Sequence, residues 1–260
     1  MVKQKLWSHA SLSLLTFFLL TCSSQPQKHA GSEKPEITIQ VGSLNLANYN
    51  KRIERNEVRK LASLLKKEQV EIFAVQGITR YPGVDTRVDF VDELAKLADI
   101  NSAFGEMINN SGRQTGNAVF SSYPIRSKVN QPFDNVKSAK FEAAVQAVID
   151  GGTRALYVVS TQLPSKASVE DQMSCVALIS SLHKSEKNEA VILAGNLPSS
   201  IHVLRGSPYQ KVVEAGAKDI GTNMLLMAND ALKVSSVRTI DTDFGTMLVV
   251  QFDLFREKLP

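Results

Sequence analysis

At 260 residues, 43% of them hydrophobic and 22% charged, the chain has an ordinary globular composition and is long enough to bury a substantial core. That balance excludes wholesale disorder and a bundle of membrane spans. The net charge of +4 falls to +2 once Lys3 and Lys5 are set aside. No concentrated basic run remains to grip a phosphate backbone, so nucleic acid is not expected as a partner.

The chain opens with Lys3, Lys5, a short polar stretch and an apolar run from Leu12 to Leu20 that is too brief to be a permanent transmembrane helix. This is the pattern of a secretory signal, expected over residues 1–21. Leu19-Leu20-Thr21-Cys22 resembles the cleavage box of bacterial lipoproteins, in which the cysteine becomes the acylated first residue of the mature chain. Thr21 departs from that box, where Gly, Ala or Ser is usual, and an ordinary cleaved signal with a chance cysteine is the alternative. Residues 22–36 are rich in Ser, Gln, Lys, Gly and Pro and nearly free of large apolar groups, so they read as a flexible tether to a domain over 37–260. With Cys22 lipidated, the expected location is the bacterial cell envelope, on a membrane whose identity, inner or outer, Ser23-Ser24 leave open.

Alternation from Ile37 to Leu46 predicts a strand. Arg55 to Glu68 carries Val58, Leu61, Leu64 and Leu65 at helical spacing, with charges on the opposite face. A buried strand is expected over Glu71 to Gln76 and a second helix over Val88 to Leu97. Asn117 to Ser121 reads as a strand, and Ala143 to Ile149 with Leu156 to Thr161 as a hairpin turning at Asp150-Gly151-Gly152. Ser168 is expected to cap a helix running to Leu182, with Asp171 in its first turn. Within it, Cys175 shares an apolar pattern with Met173, Val176, Leu178 and Ile179 and reads as a small buried hydrophobe. Further strands are expected at Ala190 to Ala194, Met224 to Met227, Val234 to Val237 and Met247 to Phe252. Hairpins mixed with helices, without repeat or second linker, point to one α/β sandwich domain with antiparallel strands.

Five stretches read as strand ends running into polar loops: Ser43-Leu44-Asn45, Val75-Gln76-Gly77, Ser160-Thr161-Gln162, Ala194-Gly195-Asn196-Leu197-Pro198 and Thr242-Asp243-Phe244. Thr115-Gly116-Asn117-Ala118-Val119-Phe120-Ser121-Ser122-Tyr123-Pro124-Ile125 is similar to the GNAILSRYPI strand of the endonuclease/exonuclease/phosphatase superfamily, the DNase-type fold of metal-dependent phosphoesterases. In the same order, Val75-Gln76-Gly77-Ile78-Thr79-Arg80 resembles LQEVDR, Thr161-Gln162-Leu163 resembles THL, Ala194 to Pro198 resembles GDFN, and Thr242-Asp243-Phe244 resembles SDH. The resemblance covers about residues 37 to 254. It implies a four-layered α/β/β/α sandwich of two mixed, largely antiparallel sheets.

The family's chemistry needs oxygen ligands for a cation such as magnesium, a carboxylate to orient water, and histidines to handle protons. Here Gly77 stands for the metal-binding glutamate, Gln162 for the THL histidine, Asn196 and Pro198 for the aspartate and asparagine of GDFN, and Phe244 for the last histidine. Asn45, Asn117 and Asp243 match, supplying a single carboxylate. A positioned acid or base contributes about 10²–10⁴-fold. Losing all of them removes nearly the whole mechanism, so these positions are read as a vestigial site with no intact catalytic residue, no metal and no cofactor. Metal binding created by Gly77→Glu combined with Asn196→Asp, where the parent has none, would confirm the position of the vestigial site.

Of the histidines outside the signal and tether, His183 falls at a helix end and His202 in a solvated loop. Arg80 reads as a structural ion pair, and Asp85, Asp89 and Asp92 as the polar start of the next helix. The functional expectation is a membrane-anchored, non-catalytic binding or scaffold module whose ligand, a protein or a small molecule, is unknown. The alternative is a magnesium-dependent phosphodiesterase or phosphatase working through a shifted site of Asp243, His202 and Asp241.

Overall fold

The computed structural model describes residues 35–255 except 48, 50, 85–86, 140–141, 153, 164–166, 183–189, 197–210, 216–223 and 229–230. The expected signal, Cys22, nearly all of the tether, Asp85, His183, Pro198 and His202 lie outside the described residues. The elements are β1 (Ile37–Asn45), α1 (Arg55–Lys67), β2 (Ile72–Arg80), α2 (Phe90–Ala98), β3 (Asn101–Asn110), β4 (Arg113–Ser121), β5 (Ile125–Pro132) and β6 (Ala143–Asp150). They continue with β7 (Ala155–Gln162), α3 (Val169–Ser181), β8 (Ala190–Asn196), β9 (Lys211–Ala215), β10 (Met224–Ala228), β11 (Leu232–Thr242) and β12 (Gly245–Leu254).

Local chemistry sets the helix ends. Before α1, the backbone N–H of Glu54 donates to Glu57 Oε2 at 2.9 Å, and Lys66 and Lys67 complement the dipole in its last turn. Asp89 caps α2 by accepting from the backbone N–H groups of Val91 and Asp92, and Ser168 caps α3 by accepting from that of Asp171 at 3.1 Å.

Two six-stranded sheets form, in the orders β11-β12-β1-β2-β4-β3 and β5-β6-β7-β8-β10-β9. Among the described strands only β1–β2 and β7–β8 are parallel, each pair joined through a helix, α1 or α3; the other described neighbours are antiparallel. Period-2 alternation then sorts the side chains into layers. Ile39, Val41, Ile72, Ala74, Val250 and Phe252 of the first sheet bury themselves with Val145, Ala147, Val158 and Ile192 of the second. On the far face of the first sheet, Phe73, Val75, Phe120 and Val249 cluster with Val58, Leu61 and Leu65 of α1 and Phe90 and Leu94 of α2. On the far face of the second, Ala144, Val159, Val191 and Leu193 cluster with Cys175, Val176 and Ile179 of α3. The order is helix, sheet, sheet, helix, as the sequence reading expects.

Three strands differ from expectation: β3, β5 and β9 have no counterpart in the sequence reading, and all lie at sheet edges. β2 also runs four residues beyond Gln76, to Arg80. On α3, Met173 is 54% exposed, outside the apolar stripe that holds Cys175.

Candidate functional site at the strand ends

Because each parallel pair runs in one direction, its C-terminal ends lie side by side. Asn45 of β1 is in register with Gln76 of β2, and Gln162 of β7 with Asn196 of β8. The two sheets meet where Gln76 Nε2 donates to Ser160 Oγ at 3.0 Å, while Ser160 Oγ donates to the Val75 carbonyl at 3.1 Å. Four of the five stretches singled out in the sequence thus converge between the sheets, the fourth through Ala194 to Asn196 only, with Asn196 placed by its backbone.

Gly77 sits inside β2 rather than at its end. The pairing with β4 steps from Val75 opposite Ala118 to Ile78 opposite Gly116, so Gln76 and Gly77 together face Asn117 in a bulge. Gly77 has φ +69, the left-handed region that favours glycine. Asn117 holds the bulge: its Oδ1 accepts from the Gly77 backbone N–H at 3.1 Å, and its Nδ2 donates to the Ala143 carbonyl at 2.7 Å. Asn45 Oδ1 accepts from the Ala47 backbone N–H at 2.8 Å, an Asx turn that curls the chain after β1 over the bulge. A Cβ on Gly77 would lie 2.6 Å from Ala47 Cα, so this position is closed to any side chain.

The layer is polar and neutral. Thr161 Oγ1 donates to the Ala143 carbonyl at 3.3 Å. Ser43 Oγ, Asn45 Nδ2, Gln76 Oε1 and Gln162 Oε1 are buried without a hydrogen-bond partner in the protein. Hydroxyls and amides of this kind can hold water or a neutral polar group, but they carry no charge and transfer no proton at neutral pH. Magnesium is held through carboxylate oxygens. Among the described residues no three of His, Cys, Asp and Glu gather into a cation site. The donors present do not fit that metal.

Asp243 and Phe244 occupy the turn between β11 and β12 and are engaged elsewhere. Asp243 Oδ2 accepts from Lys60 Nζ of α1 at 2.9 Å, a bond that raises the lysine pKa. Asp241 Oδ1 accepts from Thr246 Oγ1 at 3.0 Å. Phe244 is a core residue beneath α1 and α2, with ring centroids 5.1 Å from Tyr49 and 5.6 Å from Phe90. Among the described residues neither Asp243 nor Phe244 bonds to Asn45, Gln76 or Asn117.

Arg80 makes the ion pair expected of it: Nε lies 2.9 Å from Asp89 Oδ2 and Nη2 lies 3.1 Å from Asp92 Oδ1. Cys175 is buried, and burial pushes its thiol up to about 12, which leaves it an inert hydrophobe. Glu142, by contrast, is absent from the sequence reading. It immediately precedes β6 and Ala143, its Oε2 is buried without a partner, and burial pushes its carboxyl up to about 7. Nothing in its neighbourhood along the chain signals this, because the burial comes from tertiary packing.

No family model matches the sequence, and no curated protein matches it. Solved structures do. An endonuclease/exonuclease/phosphatase protein from Beutenbergia cavernae superposes with TM-score 0.65 at 16% identity, covering 84% of this chain and 72% of its own. One from Bacteroides vulgatus gives 0.65 at 9% identity, over 84% of this chain and all of the other, and TDP2 from Caenorhabditis elegans gives 0.61 at 13%, over 86% and 78%. At such identities the likeness establishes the fold: this chain has the endonuclease/exonuclease/phosphatase architecture.

Proposed function

We propose that this chain is a non-catalytic binding module on the endonuclease/exonuclease/phosphatase fold, held at a bacterial envelope membrane through a lipid on Cys22. The observation that supports the first half is the uncharged strand-end layer, with Gly77 shut beneath Ala47 and the neutral side chains of Asn45, Gln76 and Gln162 beside it. Hydrolysis of a phosphoester needs charge there and a proton donor or acceptor. The first test is calorimetry of the full chain with magnesium and manganese, together with turnover of a generic phosphodiester. The expected result is no specific metal binding and no turnover above the blank. Metal-dependent turnover that disappears in Asp243→Ala would overturn the reading in favour of a hydrolase working through a shifted site.

The anchor rests on the Leu19-Leu20-Thr21-Cys22 box and the apolar run before it. Two or more acyl chains on one residue bind a bilayer stably, each buried methylene adding about 0.8 kcal/mol. Cys22→Ser is expected to shift the protein from the membrane fraction to the soluble one; undiminished recovery with membranes would count against acylation.

A further inference from the structure

A cavity of about 400 Å³ opens beside the Gly77 bulge, with Leu46, Gly77 and Thr79 among its lining residues. Its size is that of a small-molecule site. Four cationic side chains line it, Lys51, Arg52, Arg87 and Arg113, and among the described residues no lining residue is a carboxylate. Four arginines elsewhere are paired with carboxylates, Arg80 with Asp89 and Asp92, Arg55 with Glu93, Arg126 with Asp150 and Arg238 with Glu68, whereas Arg59 donates to the neutral Asn56. Among the described residues, of these four only Arg52 pairs with a carboxylate, Glu54 at 3.6 Å with both groups largely exposed, and Glu57 is held by the Tyr49 hydroxyl at the wall. Among the described residues Lys51, Arg87 and Arg113 make no ion pair. Like charges gathered around a concavity repel one another and raise the local concentration of anions.

The walls are aromatic and held in place. The Arg87 guanidinium lies over the Tyr81 ring, 4.4 Å from its centroid, which fixes a cation with its donors available. Tyr49 donates from its hydroxyl to Glu57 Oε1 at 2.8 Å and packs its ring against Phe244. Ile53 and Val88 add apolar surface. Flat walls with cations at the rim select for a flat body carrying negative groups.

We infer that this cavity binds a small planar organic anion carrying two negative charges, through Arg87 and Arg113. The inference deepens the binding-module reading and rests on it. Carboxylate and phosphate sources share this chemistry, and the probes separate them. The experiment is calorimetry of the full chain at low salt with isophthalate, phenyl phosphate and, as a neutral ring, benzyl alcohol.

Both anions are expected to bind without added metal, benzyl alcohol not at all, and affinity to fall as salt rises. Arg87→Ala and Arg113→Ala are each expected to weaken binding by about tenfold, the effect of removing one charge-assisted hydrogen bond. Lys67→Ala, an exposed cation on α1 outside the cavity, serves as the control and leaves binding unchanged. Binding of either anion alone, weakened in the arginine variants, would support the inference and identify the source; failure of both anions to bind, or undiminished affinity in both arginine variants, would overturn it. Hydrolysis of bound phenyl phosphate would instead sink the non-catalytic reading and leave the ligand class standing.

Discussion

Gly77→Glu is expected to destabilise the protein by about 3 kcal/mol and to create no metal site. On the sequence alone, glutamate at 77 with aspartate at 196 rebuilds a pair of ligands. The backbone rejects the first of them. Gly77 has φ +69, where an L side chain costs about 1–2 kcal/mol. Its Cβ would also lie 2.6 Å from Ala47 Cα and 2.7 Å from Ala47 N, and forcing those atoms apart adds about 1–3 kcal/mol. The clash begins at Cβ, so Gly77→Ala should lose nearly as much as Gly77→Glu, which separates the steric cause from one based on charge. Urea unfolding of both variants measures the loss, and magnesium calorimetry of Gly77→Glu with Asn196→Asp tests the metal. A Gly77→Ala variant within about 0.5 kcal/mol of the parent would show that the loop after β1 yields easily.

Glu142→Gln is expected to stabilise the protein at pH 8 by roughly 3 kcal/mol and to leave it unchanged near pH 4. Burial raises this carboxyl from its ordinary 4.5 to about 7. Between those values the folded protein binds more protons than the unfolded chain, so stability is full below pH 4.5 and is lost as pH rises to about 7. A tenfold change in a proton-binding constant is worth about 1.4 kcal/mol. Glutamine keeps the shape, cannot ionise, and should flatten the stability profile. The measurement is the urea midpoint of parent and variant across that pH range. Coincident profiles at pH 8 would mean that the carboxylate is well solvated in the folded protein.

The helices and central strands were legible in the sequence because each has one strongly apolar face: the spacing of Val58, Leu61 and Leu65 places α1 within a residue of its observed end. The three missed strands, β3, β5 and β9, are edges. An edge strand has a hydrogen-bonding neighbour on one side only and is commonly polar, which weakens the alternation that marks a strand. β5 shows this directly, with Arg126, Ser127, Lys128, Val129 and Asn130 all exposed. The resemblance of short motifs located the strand ends, and Asn45, Gln76, Asn117 and Gln162 do gather there. It carried no information about the bulge, since a glycine in a motif reads as a missing side chain and only the backbone reveals a required conformation. Phe244 likewise read as a lost histidine, whereas packing against Tyr49 and Phe90 makes it part of the core under α1 and α2. Asp243 kept its identity in the motif and yet pairs with Lys60.

The partner of β1 has a consequence for how the chain acquires its structure. This first strand of the domain lies between β2 and β12, paired from Ile37 opposite Leu254 to Ser43 opposite Leu248. Its second neighbour is therefore the last of the described strands to be synthesised, and at 5–20 residues per second it follows after roughly ten to forty seconds. Until then β1 keeps an unpaired edge, the first sheet is incomplete, and the closing contact must span nearly the whole domain, a long-range pairing of the slow kind. The first sheet can therefore be completed only after β12 has emerged, so the pairing that closes it comes at the end of synthesis rather than at its start.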